Sequence, residues 1–407
     1  MRKITIVGAG QSGLQLGLGL LGHGYDVTIV SDRTGQEIRE GRVLSSQCMF
    51  GTALAHERVL GLDFWDAECP AVEGLAVSVA DGAGGRALAW SSRLDAPARS
   101  VDQRVKIPAW LEEFERRGGT VVLRDATAED LEDYARTSDL VIVAAGKGKI
   151  TDVFARDSTR SPYDQPQRAL ALTYVTGMAP RPDHTAVTFN IVPGVGEYFA
   201  FPALTTSGPC DIMVFEGVPG GPMDCWSEVT TPEQHLARSV ELLREFFPWE
   251  AERCADVALT DAGGVLAGRF APVVRKPAGV LPSGAPVLGL ADVVVLNDPI
   301  TGQGSNNASK CAASYLASIL EHGNRPFDRA FMEQTFARYW DYAQYVTAWT
   351  NALLAPPPPH VLQILGAAAQ SPVVAHRFVN GFDDPRDFFH WLMNPAATEA
   401  YLADVTG

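Results

Sequence analysis

Short apolar runs separated by glycine-rich turns predict that strands and helices alternate at the beginning of the chain. Residues 4–7 form an apolar run, the apolar stretch that follows the next turn ends near His23 and Gly24, and residues 25–30 alternate between apolar and polar positions. A strand, a helix and a second strand in this order form a βαβ unit of about 30 residues. The pattern therefore predicts a parallel pair of strands joined by a helix.

The remaining pattern predicts further strands, a β-rich layer and a helical C-terminal region. Alternating positions with Gly and Pro at the bends indicate strands, and amphipathic stretches indicate helices. The predicted strands lie at residues 75–90, 120–123, 140–146, 168–215 and 286–290. The predicted helices lie at residues 104–117 and 231–247 and, apart from four prolines at 356–359, over most of the chain from 305 onward. Residues 37–49 are interpreted as a long excursion or a solvated loop.

The turn between the first strand and the first helix has the glycine spacing of a dinucleotide-binding site. Gly8 permits a tight turn, Gly10 leaves the backbone open to a pyrophosphate, and Gly13 allows the helix to pack closely on the strand. The helix N-terminus, with Ser12 in its first turn, offers N–H groups and a positive dipole end to the anion. A structural glycine turn without a ligand is the alternative.

An acidic residue near the end of the second strand is expected to bind the adenosine ribose of such a ligand. Ser31 stands where the carboxylate usually lies, and Asp32 follows it with Arg33 alongside. We therefore predict the ribose contact at Asp32.

Residues 289–307 contain a second candidate half-site. Asp292 follows a predicted strand, and a turn at Pro299 leads to Gly-Gln-Gly at residues 302–304, where a helix begins. A carboxylate and a second helix N-terminus can bind the same ligand as the first turn. A turn or helix-cap role is the alternative for Asp292.

Composition narrows the classes of protein that fit. The 407 residues are 46% hydrophobic, which is enough for two structural domains, and the formal net charge of -15 argues against nucleic acid or an anionic membrane as the main partner. The six cysteines show no Cys-x-x-Cys spacing and the eight histidines no paired ligand pattern, so no metal site is expected. With neither a signal peptide nor a membrane-spanning run in evidence, we expect a cytoplasmic protein.

These motifs together resemble the flavoprotein monooxygenases, and in particular the two-component styrene and indole monooxygenases. The residues that carry the resemblance are Gly8-Ala9-Gly10 with Gly13-Leu14, 28–33, Arg42, Val101-Asp102 with Arg104, Gly146-Lys147, 166–170, Asp298-Pro299 with 302–304, and Trp349-Thr350-Asn351. Two positions depart from the family pattern. Ala291 replaces the glycine of a Gly-Asp pair, and Ser45 replaces an asparagine near the flavin, which leaves the substrate open.

The resemblance implies that the ligand is FAD and that no protein nucleophile or base is needed. Asp292 would contact the ribityl chain, Arg104 the diphosphate side, and residues 302–306 the isoalloxazine ring. For Arg104 a salt bridge at the helix start is the alternative. The implied cofactor-binding residues are Gly8, Gly10, Ser12, Gly13, Asp32, Arg33, Arg42, Arg104, Asp292, Pro299, Gly302, Gln303, Gly304, Ser305 and Asn306. The implied substrate-pocket residues are Ser45, Ser46, Gln47 and Pro299.

The resemblance also implies an oxygenase component that receives reduced FAD from a separate NAD(P)H-dependent flavin reductase. Residues 144–148 lack the Asp-Gly pair that serves NAD(P)H in single-component hydroxylases. The implied reaction with O2 passes through a C4a-peroxyflavin and epoxidises or hydroxylates a small apolar aromatic or alkene substrate such as styrene or indole. The Trp-x-Trp-x-Ile-Pro motif of flavin halogenases is missing. A single-component hydroxylase or oxidase and a non-catalytic FAD-binding protein are the alternatives, and whether the chain forms a homodimer stays open.

The predicted fold class is α/β, with a Rossmann-like FAD-binding domain of the aromatic hydroxylase type, a β-rich substrate domain and a helical C-terminal region. The FAD-binding domain is predicted to comprise residues 1–70, 95–165 and 265–325. The substrate domain is predicted to comprise residues 71–94 and 166–264, and the C-terminal region residues 326–407.

Overall fold

A computed structural model describes residues 1–146 and 148–406 of the chain and shows two large sheets with helices packed around them. The strands are β1 (Lys3–Val7), β2 (Asp26–Ser31), β3 (Ala71–Ala80), β4 (Arg86–Arg99), β5 (Thr120–Leu123), β6 (Leu140–Val143), β7 (Ala169–Thr176), β8 (Ala186–Val192), β9 (Gly196–Thr205), β10 (Gly208–Gly217), β11 (Ala258–Leu259), β12 (Val265–Gly268), β13 (Val273–Val274), β14 (Ala278–Val280), β15 (Pro286–Gly289) and β16 (Val295–Leu296).

The two longest helices, with 19 and 25 residues, begin the C-terminal part of the chain, which the apolar pattern predicts to be mostly helical. The helices are α1 (Gln11–Gly22), α2 (Gly35–Glu40), α3 (Gly51–Val59), α4 (Gln103–Arg116), α5 (Ala128–Thr137), α6 (Pro232–Phe246), α7 (Pro248–Ala251), α8 (Gly304–His322), α9 (Arg329–Leu353), α10 (Pro359–Ala368), α11 (Pro372–Asn380), α12 (Phe388–Trp391) and α13 (Pro395–Thr406). Short 3₁₀ turns lie at Lys149–Val153, Glu252–Cys254, Ala291–Val293 and Pro299–Thr301.

The first sheet has six strands in the order β14-β15-β6-β1-β2-β5, and all pairs except β14 with β15 are parallel. Its central strands are continuous apolar runs because both faces are covered. The carboxyl ends of β1, β6 and β15 lie at one edge, where α/β sheets bind ligands.

The second sheet is mainly antiparallel, with the order β11-β7-β10-β9-β8-β3-β4 and β12 paired to β7. Its alternating residues face two separate apolar clusters. Tyr198 and Ala200 pack on the side of α6, whereas Phe199 and Phe201 pack toward the C-terminal helices. This period of two explains the alternation that predicts the β-rich layer.

The α/β fold class is confirmed, but two predicted domain boundaries are displaced. β4 continues to Arg99 in the second sheet, so residues 95–99 do not belong to the first. β12 pairs with β7, so residues 265–268 also belong to the second sheet. Both boundaries depend on pairing between strands that are distant in the sequence, and the local sequence does not reveal this pairing. The division into domains otherwise stays a prediction.

Two absences hold for the part of the chain that the structure describes. No helix there has the length and hydropathy needed to cross a membrane. No group of His, Cys, Asp and Glu side chains there is arranged to hold a metal ion.

Candidate active site

The loop between β1 and α1 has the conformation that its three glycines predict. Gly8 has a φ of 119°, and a Cβ there would lie 2.6 Å from the backbone nitrogen of Ala145. A Cβ on Gly13 would lie 2.2 Å from the carbonyl oxygen of Gly8, so α1 packs on β1 at a distance that only glycine allows. A Cβ on Gly10 would meet no protein atom within 4 Å. The turn geometry is therefore confirmed, and Gly10 borders open space in which a diphosphate fits.

The second half-site reaches the same edge of the first sheet. A Cβ on Gly146, just after β6, would lie 2.9 Å from the Cβ of Asp292. Gly8 packs against Ala144 and Ala145, the two residues before Gly146. Gly8 and Asp292 therefore border successive residues of one turn, although 284 positions separate them in the sequence. Lys147, which follows in the predicted motif, lies outside the described residues.

Ala291, the departure from the Gly-Asp pair, has a left-handed backbone conformation. Its φ is 51°, and no other non-glycine residue of the described ranges has a positive φ. An alanine there carries backbone strain that a glycine does not. The conformation thus accounts for a glycine in the related pattern, and it shows that the turn before Asp292 keeps its shape with alanine.

Hydrogen bonds join the N-termini of α1, α4 and α8. The side-chain amide of Gln11 donates to the carbonyl oxygen of Ser305 at 3.0 Å, and that of Gln103 donates to Gln11 Oε1 at 3.3 Å. Asn306 Oδ1 accepts the backbone N–H of Phe50 at 2.8 Å. The first turns of α1 and α8 therefore lie side by side, and their dipole ends can act on one anionic ligand.

Buried oxygen atoms near these helix starts have no hydrogen-bond partner among the described residues. They are Gln103 Oε1, Gln303 Oε1 and Asn307 Oδ1. Unpaired buried acceptors cost free energy unless a ligand or water supplies a donor. A Cβ on Gly304 would meet no protein atom within 4 Å, which leaves room beside the turn. FAD fits this region, because its ring and ribityl chain carry N–H and O–H donors.

Arg104, whose contact with the diphosphate side of the cofactor stays a prediction, is bonded to protein groups in the structure. Its side chain is 2% exposed, and Nε donates to Asp102 at 2.9 Å. Nη1 donates to Asp261 at 2.8 Å and to the Gly41 carbonyl at 3.3 Å, and Nη2 donates to Asp261 at 3.0 Å and to Thr205 at 3.1 Å. Burial disfavours ionised Asp261, but the bonds from Arg104 outweigh it and lower the pKa of that carboxyl. The salt bridge at the helix start, which is the alternative role for Arg104, is thus present in the structure.

Of the other predicted cofactor contacts, Asp32 and Arg42 are exposed, whereas Ser12 is buried. Asp32 follows β2, and its side chain is 60% exposed at 3.4 Å from the Arg33 guanidinium. Arg42 is exposed and has no hydrogen bond or ion pair with the described residues. Ser12 is buried in the first turn of α1. Their contacts with FAD stay predictions.

The predicted substrate-pocket residues Ser45, Ser46 and Gln47 lie in a loop that hydrogen bonds hold in place. Ser45 Oγ donates to Gln47 Oε1 at 3.0 Å, and Gln47 Nε2 donates to the carbonyl oxygen of Val101. The Tyr174 hydroxyl donates to the carbonyl of Ser45 at 3.0 Å, and burial raises the pKa of Tyr174 well above its ordinary value. Tyr174 therefore remains a neutral donor. Ser46 is half-buried between these anchors.

The Pro299–Thr301 turn joins this loop to an apolar region of the second sheet. Pro299 is half-buried, Ile300 is 1% exposed, and the Thr301 hydroxyl lies 2.7 Å from that of Thr350 on α9. Ile300 belongs to one cluster with aromatic side chains from the loop, the second sheet and the C-terminal helices. These include Phe50, Tyr174, Phe199, Phe201, Trp349, Phe378 and Phe382.

Sequence reasoning did not assign a role to Gln11 or Gln103, which connect the helix starts. Both stand at the first position of a helix that follows a motif residue, Gly10 in one case and Asp102 in the other. A polar amide at that position is the signal that could have identified them.

Solved structures of flavoproteins share this fold. The alignment with a flavin-dependent brominase, Bmp2, covers 98% of this chain and 99% of the brominase chain, with a TM-score of 0.64 and 13% sequence identity. The probable FAD-dependent monooxygenase PqsL from Pseudomonas aeruginosa covers 87% of this chain and 95% of its own, with a TM-score of 0.62 and 16% identity. The chain therefore has the fold of these flavin-dependent halogenases and monooxygenases.

Sequence comparison places the chain more narrowly. Residues 146–253 match the family described as "Styrene monooxygenase A putative substrate binding domain", a region that contains β7 to β10 and α6. Styrene monooxygenase StyA from Pseudomonas fluorescens is 33% identical over 393 residues, which cover 94% of this chain and 93% of the relative. The chain therefore belongs to the styrene monooxygenase family. It is a flavin-dependent monooxygenase, and its cofactor is FAD.

Proposed function

We propose that the chain is the oxygenase component of a two-component system, which takes reduced FAD from a separate NAD(P)H-dependent reductase and oxygenates a small apolar aromatic or alkene substrate. Styrene and indole are the model substrates, in keeping with the name of the StyA relative. Bound reduced FAD supplies the activation of O2, and the chain supplies binding, orientation and exclusion of water.

The observation that carries the substrate assignment is the apolar cluster beside the Pro299–Thr301 turn. Ile300 and Phe50 pack there with aromatic rings, and Trp349 lies with its ring centroid 4.9 Å from that of Phe382. Burial of a small aromatic ring against such a surface is favourable, whereas a free carboxylate there would be desolvated without a cation. Arg168, a buried cation whose charge acts on Asp298 beside this turn, is already paired with Glu197.

The chain's own residues divide the work at the proposed site. The α1 and α8 N-termini hold the anionic part of the cofactor, with Arg42 available at the entrance. The Asp292 carboxylate accepts hydrogen bonds from hydroxyl groups of the ribityl chain, and residues 302–306 border the isoalloxazine ring. The Ser45–Gln47 loop and the turn at Pro299 line the space in which the substrate is oriented.

The absence of an Asp-Gly pair at the end of β6 supports delivery of reduced FAD from another protein. Ala144 and Ala145 fill this position and pack against Gly8. Neither side chain can hydrogen-bond a nicotinamide dinucleotide. A single-component hydroxylase or oxidase is the competing function, and it differs in its source of electrons.

The source of electrons is tested by mixing the purified protein with NADH, FAD and styrene, with and without an unrelated flavin reductase. We expect little oxygen consumption without the reductase and formation of an epoxide with it. A control reaction contains NADH, FAD, styrene and the reductase without the protein and should give only hydrogen peroxide. Rapid flavin reduction by NADH or NADPH without a reductase would contradict the two-component proposal.

The substrate class is tested with styrenes, indoles, aryl sulfides and a benzoate under identical conditions. We expect product from the uncharged members and none from the benzoate, and a preference for the benzoate would reject the apolar pocket. In the Asp292→Ala variant we expect weaker retention of reduced FAD and more hydrogen peroxide per oxygen consumed. An unchanged oxygenation yield in that variant would contradict the ribityl contact.

A further inference from the structure

Four buried ionisable side chains meet where the second sheet contacts the Pro299–Thr301 turn. They are Arg168, Glu197, Glu216 and Asp298, which are 7%, 7%, 1% and 2% exposed. Glu197 on β9 and Glu216 on β10 are directly opposite each other in the antiparallel register. Three carboxyl groups with one guanidinium cannot all be ionised in so buried a place without strong repulsion.

Arg168 does not neutralise the whole group, because its Nε and Nη2 atoms both donate to the carboxylate of Glu197. Nε donates to Glu197 Oε2 at 2.7 Å and Nη2 to Glu197 Oε1 at 3.0 Å. Among residues 1–146 and 148–406, no cation forms an ion pair with Glu216 or Asp298. Glu216 Oε2 accepts no hydrogen bond from an N–H or hydroxyl group of the described residues. The charges of the two carboxyl groups act on each other, and such close approach of two buried carboxyl groups favours a proton on one of them.

The electrostatic surroundings favour a proton at this place. Burial, and then the charges of Asp298 and Glu197, raise the pKa of Glu216 well above its ordinary value. Burial raises the pKa of Asp298 to about 6. These directions favour one proton on the pair, with Glu216 as the donor and Asp298 as the acceptor.

We propose that Glu216 and Asp298 share one proton, and that the hydrogen bond it forms positions the Pro299–Thr301 turn against the second sheet. Asp298 Oδ1 also accepts the backbone N–H of Ile300 at 3.2 Å, so one carboxylate ties the turn to β10. Both residues are positioning residues. The proposal rests on the proposed contact of this turn with the flavin and substrate, but it does not depend on which protein reduces the flavin.

Removal of the shared proton would place two carboxylates in contact and push the turn away from the sheet. The charged groups that face the pair are Arg168 before β7 and Glu197 on β9, and from α9 the neutral Thr350 contacts Thr301 of the turn. Because the pKa of Glu216 is raised in the folded protein, its stabilising contribution is present at low pH and is lost as the pH rises through that value. The turn should therefore loosen on the alkaline side.

The first test is the infrared spectrum of the protein without reductase or substrate. We expect the carbonyl stretch of a protonated carboxyl group at neutral pH, its loss in alkaline solution, and its absence in Glu216→Gln. Asp211→Asn is the matched control, because Asp211 also lies on β10 and burial raises its pKa to about 6, yet it does not belong to the four-residue group. A band that persists unchanged in Glu216→Gln would overturn the proposal.

The second test measures hydrogen peroxide per oxygen consumed when chemically reduced FAD, bound to excess protein, meets O2 and styrene at several pH values. In the wild type we expect a several-fold rise on the alkaline side. Glu216→Gln keeps a neutral donor to Asp298 and should give a flat profile, whereas Asp211→Asn should follow the wild type. A wild-type profile in Glu216→Gln would overturn the positioning role.

The two tests separate this inference from the proposed function. If styrene gives no product, the substrate proposal fails, while the infrared band still decides whether the proton is shared. If Glu216→Gln does not fold, Asp298→Asn takes its place, because its amide can donate to the Glu216 carboxylate. The same loss of the band and the same flat profile are expected, and their absence would overturn the proposal.

Discussion

At the scale of single residues, Gly10 and Gly13 have different roles. Gly10 leaves room for the ligand, whereas Gly13 allows close packing of the fold. A methyl group at Gly10 meets open space, whereas one at Gly13 would lie 2.2 Å from the Gly8 carbonyl oxygen. We expect Gly10→Ala to weaken FAD binding by about tenfold, or roughly 1.4 kcal/mol, with little change in unfolding. Fluorescence titration with FAD and thermal unfolding measure the two effects.

Gly13→Ala is the matched control for this prediction. It should lower the free energy of unfolding by about 1–3 kcal/mol, because helix and strand must move apart. If Gly10→Ala instead destabilised the protein and left FAD affinity unchanged, the open space beside Gly10 would not be the diphosphate site.

The strained backbone at Ala291 gives a second prediction at this scale. Ala291→Gly removes a left-handed alanine at a φ of 51° and should not lower the free energy of unfolding, and it can raise it by up to about 1 kcal/mol. Ala337→Gly, at an exposed position inside α9, should lower it by about 1 kcal/mol. Equal losses in the two variants, measured by urea unfolding, would show that Ala291 carries no strain.

At the scale of elements, Arg104 joins the start of α4 to the second sheet through Asp261 and Thr205. Arg104→Met leaves the buried Asp102 without its cation and should lower the free energy of unfolding by about 3–5 kcal/mol. Arg39→Met, which removes an exposed pair with Glu112 between α2 and α4, should change it by less than about 1 kcal/mol. Urea unfolding compares the two variants.

FAD titration of the folded Arg104→Met protein separates the two roles of this arginine. We expect affinity close to that of the wild type, because the guanidinium faces protein groups. Lost affinity at full stability would support the diphosphate contact that the sequence resemblance implies. The partner of Arg104 lies 157 positions away at Asp261, so no local pattern could reveal it.

Elements were predictable where the pattern extended over several turns or strands. α1, α4 and α6 are long enough to show helical periodicity, and β3 with β4 shows an alternating hairpin around a glycine-rich turn. α2, with 6 residues, overlaps the segment 37–49 that was interpreted as a loop, and no element was predicted for α3, which has 9 residues. The capping box of Thr34 and Glu37 was the available signal for α2, whereas α3 begins without a side-chain cap.

At the scale of the whole molecule, the convergence of the two half-sites was predictable from motifs at strand ends. The order β15-β6-β1 brings Asp292 beside the first glycine turn, because parallel strands present their carboxyl ends at one edge. The four-residue group around Glu216 was not predictable in this way. Its members come from β9, β10, the segment before β7 and the turn after β16, and only the packing of the second sheet on that turn brings them together.

The overall charge gives a prediction for how FAD approaches the protein. The formal net charge is -15, and the FAD diphosphate is anionic. Beyond the Debye length, about 10 Å at 0.1 M salt, the ligand responds to the summed repulsive charge of the molecule. We therefore expect the association rate of FAD to rise severalfold between about 0.01 M and about 0.1 M salt, because salt screens that repulsion.

Stopped-flow fluorescence measures this rate, with Arg42→Gln as the variant that removes an exposed cation predicted to contact the cofactor. Since Arg42 acts at short range, its loss should slow association at both salt concentrations without reversing the trend. The bound cofactor is held by short contacts with backbone N–H groups, so dissociation should change little with salt. An association rate that falls with salt would show that the local field of Arg42 and the two helix N-termini, rather than the net charge, governs capture of the cofactor.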